Sequence, residues 1–318
     1  RELQPRPLRN DHAPHIGTFA DVFARVSQVP KNATALEDDP WCKDYFARMR
    51  APYAKPYPRP FPCGTLLLAF DRRDAELLGH SLDISTGVCT VRFLVDGQRL
   101  FLDIAAARER DQLWLRMRDA DGRPVAAPFD RVRLLPDPDT PDEFPAHVAE
   151  TDDATATLSF RQRLPALEPH LYDRATGHPE DAGFRLSVRV SGAIEQRARE
   201  NWSGDLEWMD ALERGLVAAD AFVACVQLDH GRADELPPAT LPAPTDAAWV
   251  AAMAAIDAHW RAFWSRSGVA LDDKFLEAVW YRNLYFMNCA ARAGVTTPGL
   301  FANWSYRKIG TAWHGDYH

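Results

Sequence analysis

The stretch "LDISTGVCTVRFLVDGQRLFLDIAAA", Leu82 to Ala107, decides the fold. From Val88 onward its side chains alternate. Val88, Thr90, Arg92, Leu94 and Asp96 fall on one side of an extended chain, and Cys89, Val91, Phe93 and Val95 on the other. The second set is wholly apolar, which predicts a strand with one buried face. Asp96-Gly97 then supplies the residue pair that a two-residue hairpin turn requires, because both positions must adopt positive φ. "QLWLRMRDADGRP" repeats the pattern through Leu113, Leu115 and Met117 and again ends in Asp-Gly.

Outward from this hairpin, "CGTLLLAFD", "TATLSFRQRLP", "GFRLSVRVSG" and "DAFVACVQLD" read as further strands. The region from about Cys63 to Val226 is therefore expected to form a large antiparallel β-sandwich. Proline-rich segments interrupt it at "APYAKPYPRPFP" and "LPDPDTPDEFP", and a third, "LPPATLPAP", follows it. Proline fixes φ and removes a ladder donor, so these are loops or crossovers. The third, Pro237 to Pro244, marks a boundary, because beyond it the period changes.

In "TDAAWVAAMAAIDAHWRAFWSRSG", residues 245–268, the residues Trp249, Met253, Ile256, Trp260 and Phe263 recur at spacings of three and four. That is one stripe of a helix capped by Thr245 or Asp246. A second helix is expected in "LDDKFLEAVWYRNLYFMNCAARAG", from an Asp272 or Asp273 cap to just before Gly294. Its apolar residues lie nearly all round, so it requires cover on most sides. The organisation predicted is a β-sandwich domain over 1–236, a proline-rich stretch with a linker helix over 237–268, and a further helical region over 269–318.

The 318 residues are 46% hydrophobic and 26% charged, a core-forming composition, with a net charge of -8. That balance offers no electrostatic case for nucleic acid or an anionic membrane as partner. No apolar run approaches the ~20 residues that span a bilayer, and "RELQPRPLRNDHAPH" lacks the apolar core of a signal peptide. Compartment and oligomeric state are left open. Five scattered cysteines without a C-x-x-C pair read as free thiols, with a disulfide between Cys42 and Cys63 as the alternative. Nucleophile-elbow, dinucleotide, P-loop and H-E-x-x-H motifs are absent. Glu207 and Asp210 would neighbour each other on a helix as a carboxylate pair, but the bland reading is a solvated turn over packed tryptophans.

Chemistry-bearing residues concentrate in the tail. "FANWSYR" and "TAWHGDYH" hold Trp304, Tyr306, Trp313, His314, Asp316, Tyr317 and His318. If the segment is extended, His314, Asp316 and His318 share a face and suit a divalent metal. Aromatic rings beside Asn, Asp and His equally suit a sugar, whose C–H faces stack on rings while its hydroxyls take hydrogen bonds.

The run "DKFLEAVWYRNLYFMNCAARAGVTTPGLFANWSYRKIGTAWHGDYH" resembles the entry into the helical barrel of glycoside hydrolase family 95, which contains α-L-fucosidases and α-L-galactosidases. "PCGTLLLAFDRRDAELLGHSLDISTGVCTVRFLVDGQRLFLDIAAARERDQLWLRMRD" is similar to that family's N-terminal β-super-sandwich. The resemblance implies a super-sandwich, a helical linker and the first helix of an (α/α)6 barrel, with the remainder of the barrel beyond His318. It implies an inverting glycosidase on an α-linked, fucose-like or related sugar of an oligosaccharide or glycoconjugate, and no cofactor. Trp304 matches a tryptophan of a substrate-side loop, and His318 the histidine that opens a His-x-Asn-x-Asn segment. Trp304, Trp313, His314, Asp316 and His318 are then expected to contact substrate and hold no metal, with the catalytic groups beyond the chain. "LFANWS" and "WHGDY" depart from the family's usual runs, which widens the sugar beyond fucose. A non-catalytic carbohydrate-binding or scaffold sandwich is the alternative.

Overall fold

The computed structural model describes residues 63–70, 75–138, 140, 144–164, 182–200, 203–217 and 219–291, with Pro40, Lys43 and Ala47 as isolated helical positions. Residues 62–166 and 177–295 form one compact unit; apart from those three positions, the second unit (1–61, 167–176 and 296–318) lies outside the described residues.

The described chain is mostly antiparallel sheet. The larger sheet has eight strands in the order β2-β3-β4-β5-β14-β9-β8-β7, where β2 is Ala75–Asp83, β3 Val88–Val95, β4 Gln98–Ala107, β5 Gln112–Arg118, β7 Val148–Asp152, β8 Thr157–Arg163, β9 Ala182–Val190 and β14 Val223–Arg232. The smaller has four, β1 (Thr65–Ala69), β6 (Arg131–Leu135), β13 (Glu213–Val217) and β10 (Ala193–Glu195). A short ribbon pairs β11 (Ala198–Glu200) with β12 (Leu206–Trp208). Asp96 and Gly97 join β3 to β4 with φ of 50° and 75°, the two positive values expected of the Asp-Gly turn.

Between the sheets, Met117, Leu158, Phe160, Leu186 and Val188 of the larger meet Val132 and Leu134 of the smaller, all buried. Phe129 sits edge-on to Phe93 and Phe222 at 6.2 and 5.6 Å. At Gly64 the packing leaves no room for a side chain. A Cβ there would lie 2.7 Å from the Leu135 carbonyl oxygen and 2.9 Å from a Leu186 methyl. Of the expected apolar face of β3, Phe93 and Val95 are buried, whereas Cys89 and Val91 are half-buried toward the sheet's edge.

The outer face of the larger sheet carries the helix α1 (Asp246–Trp264), over β4 and β5, and α2 (Lys274–Ala290) joins it through Tyr285 against Trp260. Thr245 caps α1, its Oγ1 accepting the Ala248 N–H at 3.1 Å, and Asp273 caps α2 through the N–H groups of Phe275 and Leu276. The stripe read from sequence is the packed one: Trp249, Ile256 and Trp260 are buried against Ala105, Trp114, Val223 and Cys225 of the sheet. A lone helix of this length is marginal in water. Burying each such side chain contributes about 1.5–3 kcal/mol, so packing decides that α1 forms.

Trp260 is the hub. Its ring stacks on Tyr285 of α2 at 4.9 Å and lies against Gly87, where a Cβ would come within 2.3 Å of Nε1. Arg108 donates to the Asn288 backbone and side-chain oxygens and to the Ala291 carbonyl, satisfying the C-terminal end of α2. The Tyr281 hydroxyl donates to the Val269 carbonyl at 3.0 Å and fixes the connection between the helices.

Cys63 carries a free thiol, and Cys42, its partner in the disulfide alternative, lies outside the described residues. Burial, aided by the Asp137 charge, pushes Cys63 up to about 11, and burial pushes Cys225 up to about 12. Both therefore behave as inert apolar groups.

Trp260→Ala should cost about 3–5 kcal/mol of stability, read as a lowered midpoint in urea unfolding followed by circular dichroism. Gly87→Ala should also destabilise, because its φ of 71° and the Trp260 ring both oppose a side chain.

Candidate functional site: a polar cleft on the outer sheet face

Beyond the pad under α1, the outer face of the larger sheet changes character. Antiparallel register places Gln112, Gln227, Ser187, Ser159 and Glu150 in one transverse row across β5, β14, β9, β8 and β7. On one side the next row holds Trp114, Cys225, Arg189, Thr157 and Asp152; on the other lie Asp229, Arg185 and Arg161. Successive rows on one face are two residues apart, about 7 Å.

Two hydrogen-bonded chains order this surface. Trp114 Nε1 donates to Gln112 Oε1 at 3.3 Å, Gln112 Nε2 to Gln227 Oε1 at 2.9 Å, and Gln227 Nε2 to Asp229 Oδ1 at 2.8 Å. Because the indole is only a donor, it sets the direction of both amides, and the chain ends on a carboxylate. From the opposite edge, Glu150 takes Arg161 Nε at 2.7 Å on Oε1 and Arg185 Nη2 at 3.3 Å on Oε2.

The chains meet at the cross-strand pair Arg185 and Asp229. Arg185 is 4% exposed and Ser187 fully buried, yet Arg185 Nε and Nη1, Ser187 Oγ and Asp229 Oδ2 have no hydrogen-bond partner. Leaving such groups unpaired costs about 1–3 kcal/mol each, more where they are charged.

A cleft of about 540 Å³ opens beside them, bounded by Gln112, Thr157, Arg189, Asp152 and the linker segment 239–242. Arg189 holds its wall together, donating from Nε to the Thr155 carbonyl and from Nη1 to the Leu241 carbonyl, both at 3.0 Å. Asp152 closes the β7–β8 turn. Its carboxylate accepts the Thr155 hydroxyl at 2.7 Å and the N–H groups of Ala154 and Thr155. The Thr155 hydroxyl, with those N–H groups and the Arg189 charge, holds it below its usual range.

The five tail residues expected to contact substrate, Trp304, Trp313, His314, Asp316 and His318, lie outside the described residues. Glu207 and Asp210 are not on a helix. Glu207 lies in β12 facing Arg199 at 3.5 Å, and Asp210 follows that strand and pairs with Arg133 at 2.7 Å. Each carboxylate faces a different arginine, Arg199 also pairing with Glu213 at 3.1 Å, which suits structure better than a shared proton-transfer role. Among the described residues no group of three or more His, Cys, Asp or Glu is placed to hold a metal, and no helix is long and apolar enough to cross a membrane.

The outer-face cluster escaped the sequence reading because "FRLSVRV" and "VQLD" look like ordinary strands with a solvated polar side. The available signal was the pairing of arginine, serine and glutamine on strands that also belong to the middle of the sheet. No protein-family model and no curated protein matches the chain.

A carboxylate held low by native contacts adds stability above its unfolded value, about 3.9, and loses it as pH falls through the folded one. Asp152→Asn should therefore destabilise the protein at pH 7, with the difference from the parent shrinking toward pH 3. Urea unfolding at the two pH values checks this.

Proposed function

We propose that the chain is the N-terminal part of an inverting glycoside hydrolase acting on an α-linked, fucose-like or related sugar, with α2 as the first helix of its (α/α)6 barrel. The observation that carries the reading is the surface of α2. One side packs through Tyr285 onto Trp260, while Phe275, Leu276, Phe286 and Met287 on it remain 71%, 53%, 57% and 44% exposed. Phe275 lines up with Phe286 and Leu276 with Met287, each pair eleven residues and close to three turns apart, so exposed apolar side chains stand at both ends of one broad face that Arg282 and Asn283 interrupt midway. A helix with apolar residues on two sides suits a barrel that covers both. The order of sandwich, proline linker, helix on the sheet and second helix agrees with the architecture implied by the resemblance.

In this reading Trp304 and Trp313 stack on the sugar, and His314, Asp316 and His318 bond its hydroxyls. Inversion needs the general acid and the group that activates water on opposite faces of the sugar, and the resemblance implies that both belong to the barrel beyond His318. A non-catalytic carbohydrate-binding sandwich is the second reading, favoured by the polar cleft on the sheet.

The 318-residue chain should not turn over aryl α-L-fucosides or α-L-galactosides, whereas a polypeptide that continues through the barrel should. In that longer protein His318→Ala should lower kcat/KM by roughly 10–150-fold, the value of one hydrogen bond to a charged or charge-developing group. Turnover by the 318-residue chain that a substitution within it abolishes would overturn the proposal. So would an unchanged kcat/KM for His318→Ala.

A further inference from the structure

We propose that the cleft on the outer sheet face binds a small hydroxylated carboxylate of the sugar-acid class, its carboxylate held by Arg110 and Arg189. The inference rests on the cleft and not on the hydrolase reading, whose test is turnover where this one is binding.

The space is open and of the right size. Arg110, Gln112, Asp152, Thr157 and Arg189 line it with the linker segment 239–242, and its volume of about 540 Å³ falls within the range for small-molecule sites.

The charges on the lining select the sign of the ligand. Arg110 and Arg189 bring two guanidiniums and Asp152 one carboxylate, which leaves one positive charge in excess. The Arg110 side chain is exposed and makes no hydrogen bond or ion pair among the described residues. Arg189 gives Nε and Nη1 to the Thr155 and Leu241 carbonyls, and Nη2 keeps both of its N–H donors. Those carbonyls are neutral, so the contacts that fix Arg189 do not cancel its charge. A monoanion matches the excess, whereas a phosphate monoester, close to a dianion at neutral pH, exceeds it. A planar carboxylate also suits the fork of a guanidinium.

The other polar groups call for hydroxyls beyond the carboxylate. Gln112 and Thr157 are only 9% and 7% exposed. Gln112 Nε2 gives one N–H to Gln227 and keeps a second. A carboxylate has about four acceptor positions. At Asp152 the N–H groups of Ala154 and Thr155 and the Thr155 hydroxyl take three of them. The position left over accepts a hydroxyl and repels a second anionic group. Arg189, Asp152 and Gln112 are all fixed by contacts within the protein, which lowers the entropy lost on binding.

The test uses the 318-residue chain, with galacturonate and glucuronate as probes in saturation-transfer NMR and isothermal titration calorimetry. At least one uronate should bind. Galactose, glucose and acetate should each bind roughly tenfold more weakly or worse, because each lacks either the charge or the hydroxyls. Arg110→Gln should weaken the uronate roughly tenfold, whereas Arg123→Gln, in the exposed turn after β5, should leave it unchanged. Added NaCl should weaken uronate binding by screening the two arginines. Unfolding midpoints establish that each variant folds; if Arg110→Gln does not, the NaCl dependence carries the test. The proposal fails if neither uronate binds, if a neutral sugar or acetate binds as tightly, or if affinity survives Arg110→Gln or added NaCl unchanged. It fails equally if glucose 6-phosphate binds more tightly than both uronates.

Discussion

Covering the outer face of an eight-stranded sheet is the constraint on which the rest of the structure depends. A sheet that packs on one side alone can alternate apolar and polar residues. Here the strands in the middle must serve two cores at once. In β14, Ala224 and Val226 face the smaller sheet while Val223 and Cys225 face α1, and all four are buried. In β5, Leu115 and Met117 face inward and Trp114 outward, again all buried. The helix is thus held by residues that the sheet order has already placed, and Trp260 couples it to α2 through Tyr285 and to the β2–β3 turn through Gly87.

The same sheet face cannot be apolar throughout, and beyond the pad under α1 the residues become polar and hydrogen-bonded. On the opposite side of Trp114 from Gln112, Arg116 Nε lies 2.7 Å from Asp246 at the first turn of α1. The aspartate complements the positive end of the helix as well as the arginine, and such contacts contribute about 0.3–1 kcal/mol at a partly exposed site. Their larger effect is on position. They fix where the helix starts relative to β5, and the linker segment 239–242 lines the cleft, with the Leu241 carbonyl accepting from Arg189.

Much of the sandwich was legible because its local signals agree. The Asp-Gly turn at Asp96, the alternation through Phe93 and Val95, and the Thr245 and Asp273 caps all follow from residue-level chemistry, and each is present. The outer-face cluster was not legible, because it depends on which strands become neighbours. Ser187 and Gln227 are forty residues apart and acquire meaning only when β9 pairs with β14. Arg185, buried at 4% exposure, reads in sequence like any solvated arginine of an alternating strand. Strand order is a long-range property, and one-dimensional periodicity does not carry it.

The buried polar atoms and the exposed apolar residues of α2 pose opposite forms of one physical problem. Ser187 and Arg185 have lost water without gaining full hydrogen-bond partners, whereas Phe275 and Phe286 keep contact with water that burial would relieve. The first is directional: few ligands place a donor and an acceptor at the required spacing, so relief there is selective. The second is not directional, since any well-shaped apolar surface serves. Relief of the first therefore depends on geometry atom by atom, and relief of the second on shape and area alone.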